Sequence, residues 1–121
     1  MIKDITLVFG ASLKPNRYSN YVIQRLIAHE KKVVAFGIKK GEISGVEIET
    51  QLLLYKNIHT VTLYLNPNRQ KAYYNYILSL KPKRVIFNPG TENPEFYALL
   101  KAHNITFEAS CTLVLLATNQ Y

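Results

Sequence analysis

Residues 5–12 read Ile5-Thr6-Leu7-Val8-Phe9-Gly10-Ala11-Ser12. Five uncharged, mostly apolar or β-branched residues stop at a glycine, the pattern of a strand buried on both faces and followed at once by a turn. Downstream, Val22, Ile23, Leu26 and Ile27 recur at helical spacing, with Ser19 or Asn20 as the expected N-cap and an end near Glu30. Val33-Val34-Ala35-Phe36 then repeats the buried-strand pattern and halts at Gly37. The opening of the chain therefore spells a β-α-β unit.

The rhythm continues outward from that unit. Gly37 to Gly45 reads as a loop; in its continuation, Val46 to Asn57, periodicity does not separate a short helix at Gln51-Leu52-Leu53-Leu54-Tyr55 from part of a packed connection, and a helix is expected. Val61 to Leu65 is a third strand, stopped by Asn66-Pro67 because proline cannot donate to a ladder. Tyr73, Tyr76, Ile77 and Leu80 mark a helix that Lys81-Pro82 ends. Val85-Ile86-Phe87 is a fourth strand closed by the turn Asn88-Pro89-Gly90. Phe96, Leu99, Leu100 and His103 form a last helical stripe before a fifth strand at Ile105-Thr106-Phe107, and Leu113 to Ala117 is a closing apolar segment. Strands alternating with helices predict an α/β, Rossmann-like three-layer sandwich over residues 1–121 as a single domain. Its expected core is a five-stranded parallel sheet of order 3-2-1-4-5 with helices on both faces. That order reverses between the first and fourth strands, and ligands of such sheets bind there, beyond the carboxyl ends of the strands.

Composition narrows the class. With 121 residues, 48% of them hydrophobic and 19% charged, the chain has enough apolar surface for one core and is not of the disordered type. Its longest apolar run, Leu113 to Ala117, falls far below the roughly 20 residues that a membrane span requires. Met1 to Ile5 lead into the first strand without a signal-peptide core, so a cytoplasmic protein is expected. A lone Cys111 and three scattered histidines exclude a disulfide framework and a Cys-rich zinc module. Fifteen Lys and Arg against eight Asp and Glu leave a net charge of +7, which favours a polyanion or a phosphorylated ligand.

Gly10-Ala11-Ser12 lies where a doubly wound sheet presents backbone N–H groups to a phosphate; the alternative is a tight turn with no ligand. Ser12 and Pro15 stand where a dinucleotide fingerprint needs glycines, and no acidic residue ends the second strand, which disfavours a small NAD(P)- or nucleotide-dependent enzyme. Lys14 and Arg17 follow the first strand, Lys39 and Lys40 the second, and Arg69 the third. In the expected fold these five cations either converge on the crevice or are ordinary solvated charges. The histidines precede strands, at the opposite edge, and no catalytic or metal-ligand constellation is visible, so binding is expected rather than catalysis. Cys111 is expected to be a buried small hydrophobe. A basic nucleic-acid-binding module is disfavoured because Tyr73 and Tyr76 lie on a helical core stripe.

Taken in order, Val8 to Ser12 with Pro15 and Ser19, then Phe36 to Gly45, Asn66-Pro67, Ile86 to Gly90 and Cys111 resemble the small stand-alone CoA-binding-domain proteins of bacteria. That family is similar to the N-terminal domain of the succinyl-CoA synthetase α subunit. The resemblance implies a Rossmann-like domain that binds coenzyme A, or an acyl-CoA, without turning it over. It implies that Gly10, Ala11, Ser12 and Ser19 hold phosphate and that Lys39 and Lys40, beside Ile38, lie by the nucleotide's phosphates. It places Asn66 and Pro67 on the adenosine side, and Asn88, Pro89 and Gly90 against the pantetheine arm. The chain departs from the family at Gly37-Ile38-Lys39, where Asn-Pro-Lys is usual, and after Cys111. A homodimer or a protein partner is left open.

Overall fold

The computed structural model describes residues 4–121. The elements are β1 (Ile5–Phe9), α1 (Tyr18–Ala28), β2 (Lys32–Phe36), β3 (Gly41–Ile43), β4 (Val46–Glu49), β5 (Ile58–Leu63), α2 (Pro67–Gln70), a 3-10 turn (Lys71–Tyr73), α3 (Tyr74–Leu80), β6 (Arg84–Phe87), α4 (Pro94–Ala102), β7 (Thr106–Ala109) and α5 (Thr112–Ala117). The fold is α/β and Rossmann-like, built on a mostly parallel sheet.

β1 is central, and Leu7, Val8 and Phe9 are fully buried because helices cover both faces. Alternation along the strand divides them. Leu7 and Phe9 join Val61, Leu63, Val85 and Phe87 under α3 and α4, represented by Ile77, Phe96 and Leu100. Val8 joins Ala35 and Ile48 under α1 and α5, represented by Val22, Ile23, Leu26 and Leu116.

The sheet corrects the expected topology. It has seven strands rather than five, in the order β3-β4-β2-β1-β5-β6-β7, and β3 runs antiparallel to β4. The five expected strands thus stand in the order 2-1-3-4-5, not 3-2-1-4-5. The extra pair comes from the segment read as loop and connection. Val46-Glu47-Ile48-Glu49 alternates buried Val46 and Ile48 with outward carboxylates, and Ser44 and Gly45, at φ 50° and 84°, make the two-residue turn of a hairpin. β4 pairs parallel to β2 and takes the place expected for the third strand, which therefore lies on the other side of β1. The order consequently reverses between β1 and β5, not between the first and fourth strands.

Residues 51–55 are not helical either. The chain must return from the carboxyl edge at Glu49 to the amino edge at Ile58. Eight helical residues would cover only about 12 Å, whereas a six-residue strand is roughly 17 Å long. An irregular strap crosses instead, anchored by Tyr55 against the α3 side of the core and by the Tyr76 hydroxyl, which donates to the Leu53 carbonyl. At α1, Arg17 rather than Ser19 or Asn20 occupies the N-cap, so both of those residues sit buried in the first turn. The closing apolar segment is α5. Among the described residues, no helix is long and apolar enough to cross a membrane.

Candidate ligand-binding crevice

All the parallel strands deliver their following loops to one edge. The loop after β1 turns at Gly10, whose φ of +101° suits glycine, and a Cβ there would lie 3.1 Å from the Tyr64 backbone. Gly37, after β2, is closer still: its Cβ would lie 2.3 Å from the Ala11 carbonyl oxygen. The first two N–H groups of the turn are spent on this contact, Gly10 and Ala11 both donating to the Phe36 carbonyl at 2.9 and 2.8 Å. Among the described residues, the first N–H groups left without a protein partner are those of Ser12 and Leu13. Those of Tyr18 and Ser19 in the first turn of α1 are free as well.

Asn20 holds this loop to the helix. Its amide donates to the Ser12 carbonyl at 3.1 Å, and its own oxygen accepts from Gln24 at 2.8 Å. Leu13 lies over the start of β3, where a Cβ on Gly41 would come within 2.5 Å of its side chain. The loops after β1 and β2 therefore form one wall. On it Lys14, Arg17, Lys39 and Lys40 are exposed, as is Ile38 at 79%.

The opposite wall comes from the loops after β5 and β6. Asn66 is exposed and caps α2, accepting from the Arg69 N–H at 3.0 Å, with Pro67 at the first helical position and Arg69 exposed. Asn88 is buried, with its side chain entirely engaged. Nδ2 donates to Thr62 Oγ1 at 2.7 Å and to the Leu63 carbonyl at 2.9 Å, while Oδ1 accepts from the Thr112 N–H at 2.9 Å. Asn88 thus sets the shape of its loop. Pro89 and Gly90 are exposed at its tip, where Gly90 adopts φ +93° and donates to Glu92.

Gln70, fully buried, ties the two loops together through the Leu65 and Thr91 carbonyls, both at 2.8 Å. Asn93, the N-cap of α4, donates to Gln70 Oε1 at 2.9 Å. Asn followed by Pro at 93–94 is a capping pattern, a signal that the sequence reading missed. Gln70 and Asn20 carried none, because their roles depend on carbonyls from other elements. Tyr64, at the boundary between the walls, is half-buried beside Thr62 and Thr112, and burial pushes its hydroxyl well above the usual phenol range. Cys111 is half-buried rather than buried and stands at the N-cap of α5.

Among the described residues the one ion pair is Lys71 with Glu95 at 3.9 Å, so none of Lys14, Arg17, Lys39, Lys40 and Arg69 is held by a carboxylate. No group of His, Cys, Asp and Glu among them suits a metal ion.

The family model for the CoA binding domain matches residues 5–117. A crystal structure described as that of an uncharacterized protein is similar over 100% of this chain and 99% of its own, with 45% identity and a TM-score of 0.94. A hypothetical protein from Pyrococcus horikoshii OT3 is 28% identical over 91% of this chain and 78% of its own, with a TM-score of 0.79. A Thermus thermophilus protein, 24% identical over 98% of this chain and 91% of its own, shares the fold with a TM-score of 0.86. Curated proteins include no match.

Proposed function

The chain belongs to the CoA binding domain family, and on that premise we propose that it holds coenzyme A or an acyl-CoA, without turning it over, in the crevice between β1 and β5. The observation that carries this reading is that Lys14, Arg17, Lys39, Lys40 and Arg69 stand on the segments that follow β1, β2 and β5 at one sheet edge, free of carboxylate partners among the described residues. Coenzyme A bears a 3′-phosphate as well as a pyrophosphate, so it rewards several cations.

The roles follow the two walls. Gly10 and Ala11 shape the turn, and the N–H groups of Ser12 and of the α1 first turn, with Ser19, meet phosphate. Lys39 and Lys40 lie by the nucleotide's phosphates, with Ile38 offering apolar surface beside them. Asn66 and Pro67 line the adenosine side, and the loop from Asn88 through Pro89 to Gly90 faces the pantetheine arm.

Native mass spectrometry of the purified protein, followed by thermal shifts with CoA, acetyl-CoA, dephospho-CoA, NADH and ATP, tests the ligand class. Coenzyme A is expected to co-purify or to stabilise most, by about 2.7 kcal/mol at a hundredfold excess over Kd. Protection by NADH with no response to CoA would favour a nucleotide-dependent enzyme. Salt-sensitive binding of random oligonucleotides would favour a nucleic-acid module. Replacing Lys39 and Lys40 together by Ala should weaken CoA more than dephospho-CoA; equal losses would remove the 3′-phosphate from their assignment.

A further inference from the structure

We infer that Gln70 is a positioning residue, holding the loops after β5 and β6 at a fixed spacing and so setting affinity for the pantetheine arm; this rests on the coenzyme A reading above. A glutamine is seldom fully buried, and taking its amide out of water costs about what its hydrogen bonds return. An apolar side chain would fill the same space. What the amide adds is directional: its two hydrogens reach the Leu65 and Thr91 carbonyls at 2.8 Å each, and its oxygen accepts from Asn93 at 2.9 Å. A flipped amide would set its oxygen against two carbonyls, so the three partners define the orientation.

Each loop also has supports of its own. The Asn66 turn is closed by Asn66 Oδ1 on the Arg69 N–H and by the Asn66 carbonyl, which accepts from Arg69 and Gln70. The second turn is closed by the Asn88 carbonyl, which accepts from the Thr91 N–H and hydroxyl, and the Asn88 side chain holds its base against β5 and α5. Gln70 is the side chain that bonds the backbone of both loops, and through Asn93 it also reaches Tyr74 and the start of α4. Four of the five crevice cations lie on the other wall, across the β1–β5 boundary. Loosening Gln70 should therefore leave both turns closed, the Asn66 turn of the adenosine side included, and the phosphate-binding wall as it is; what it changes is the spacing between the two loops, and with it the position of the 88–91 loop that faces the arm.

The test is calorimetric titration of the wild-type protein, Gln70→Met and Asn93→Ser with CoA and with 3′,5′-ADP, which lacks the pantetheine arm. Wild type should bind CoA the more tightly. Gln70→Met should lose about tenfold for CoA while 3′,5′-ADP changes less than about twofold, as expected when about one hydrogen bond's worth of ordering is lost. Asn93→Ser keeps a capping residue on α4 but removes the anchor on Gln70 Oε1, and should lose about threefold for CoA alone. If Gln70→Met does not fold, Asn93→Ser decides the matter. Equal losses for both ligands, or unchanged CoA affinity, would overturn the role of Gln70 while leaving the crevice intact. Wild-type protein that binds neither ligand overturns the coenzyme A reading and this assignment with it.

Discussion

At Gly37 a methyl group would lie 2.3 Å from the Ala11 carbonyl oxygen and 3.0 Å from the Ile48 side chain. The nearest obstacle is backbone, and that backbone is held by two hydrogen bonds to Phe36. Gly37→Ala should therefore cost about 2 kcal/mol, in the range of core overpacking, and displace the loop that carries Ser12. Gly90 presents the opposite case, with φ at +93° and nothing within 4 Å of its Cβ position. Gly90→Ala should cost only about 1 kcal/mol of backbone strain. Urea denaturation of the two variants checks the contrast, and no loss for Gly37→Ala would mean that the contact at Gly37 relaxes without cost. Both glycines were legible in the sequence as breaks after a strand or within a turn. The neighbour that makes Gly37 the less tolerant was not, because Ala11 lies 26 positions away in the chain.

Among the elements, the segment from Gly37 to Asn57 departs furthest from its sequence reading. Ser44-Gly45 and the alternation at Val46 to Glu49 are genuine hairpin signals, but three- and four-residue strands are too short for periodicity to stand out. The strap that follows has no regular hydrogen bonding, and Leu52, Leu53 and Leu54 are exposed at 42, 37 and 85%. Its tie to α3 is the Tyr76 hydroxyl on the Leu53 carbonyl. Tyr76→Phe should cost about 1 kcal/mol and should speed proteolytic cleavage within residues 51–57 several-fold. An unchanged cleavage rate would show that Tyr55 and the core contacts suffice to hold the strap.

For the whole molecule, half-buried phenols make alkaline pH the weak side. Burial raises the hydroxyls of Tyr55, Tyr64, Tyr74, Tyr76 and Tyr121, that of Tyr76 to about 12. Below the ordinary phenol value of about 10 these groups are neutral in both states and stability is insensitive to them. Above it the unfolded chain releases protons that the folded chain retains, so stability falls as pH rises through the folded values. Urea midpoints should therefore drop progressively between about pH 10 and 12, with the share of phenolate absorbance that belongs to these five tyrosines appearing as the protein unfolds. Full phenolate absorbance at pH 10.5 in a protein that is still folded would contradict this.

Five of the six parallel strands, the main helices between them and the segments after the strands that carry the five cations were legible in the sequence. These follow from local periodicity and from the breaks at Gly10, Gly37, Asn66-Pro67 and Asn88-Pro89-Gly90. Tertiary structure alone decided which strand lies beside β1, since strand neighbours are chosen by competition for a place in the sheet and β4 occupied the one next to β2. It also decided which N–H groups remain free at the Gly10 turn, and that Asn20, Gln70 and Asn88 serve as internal ties. A polar side chain is recognisable as a tie only once the carbonyls it must satisfy have been brought to it from elsewhere in the chain.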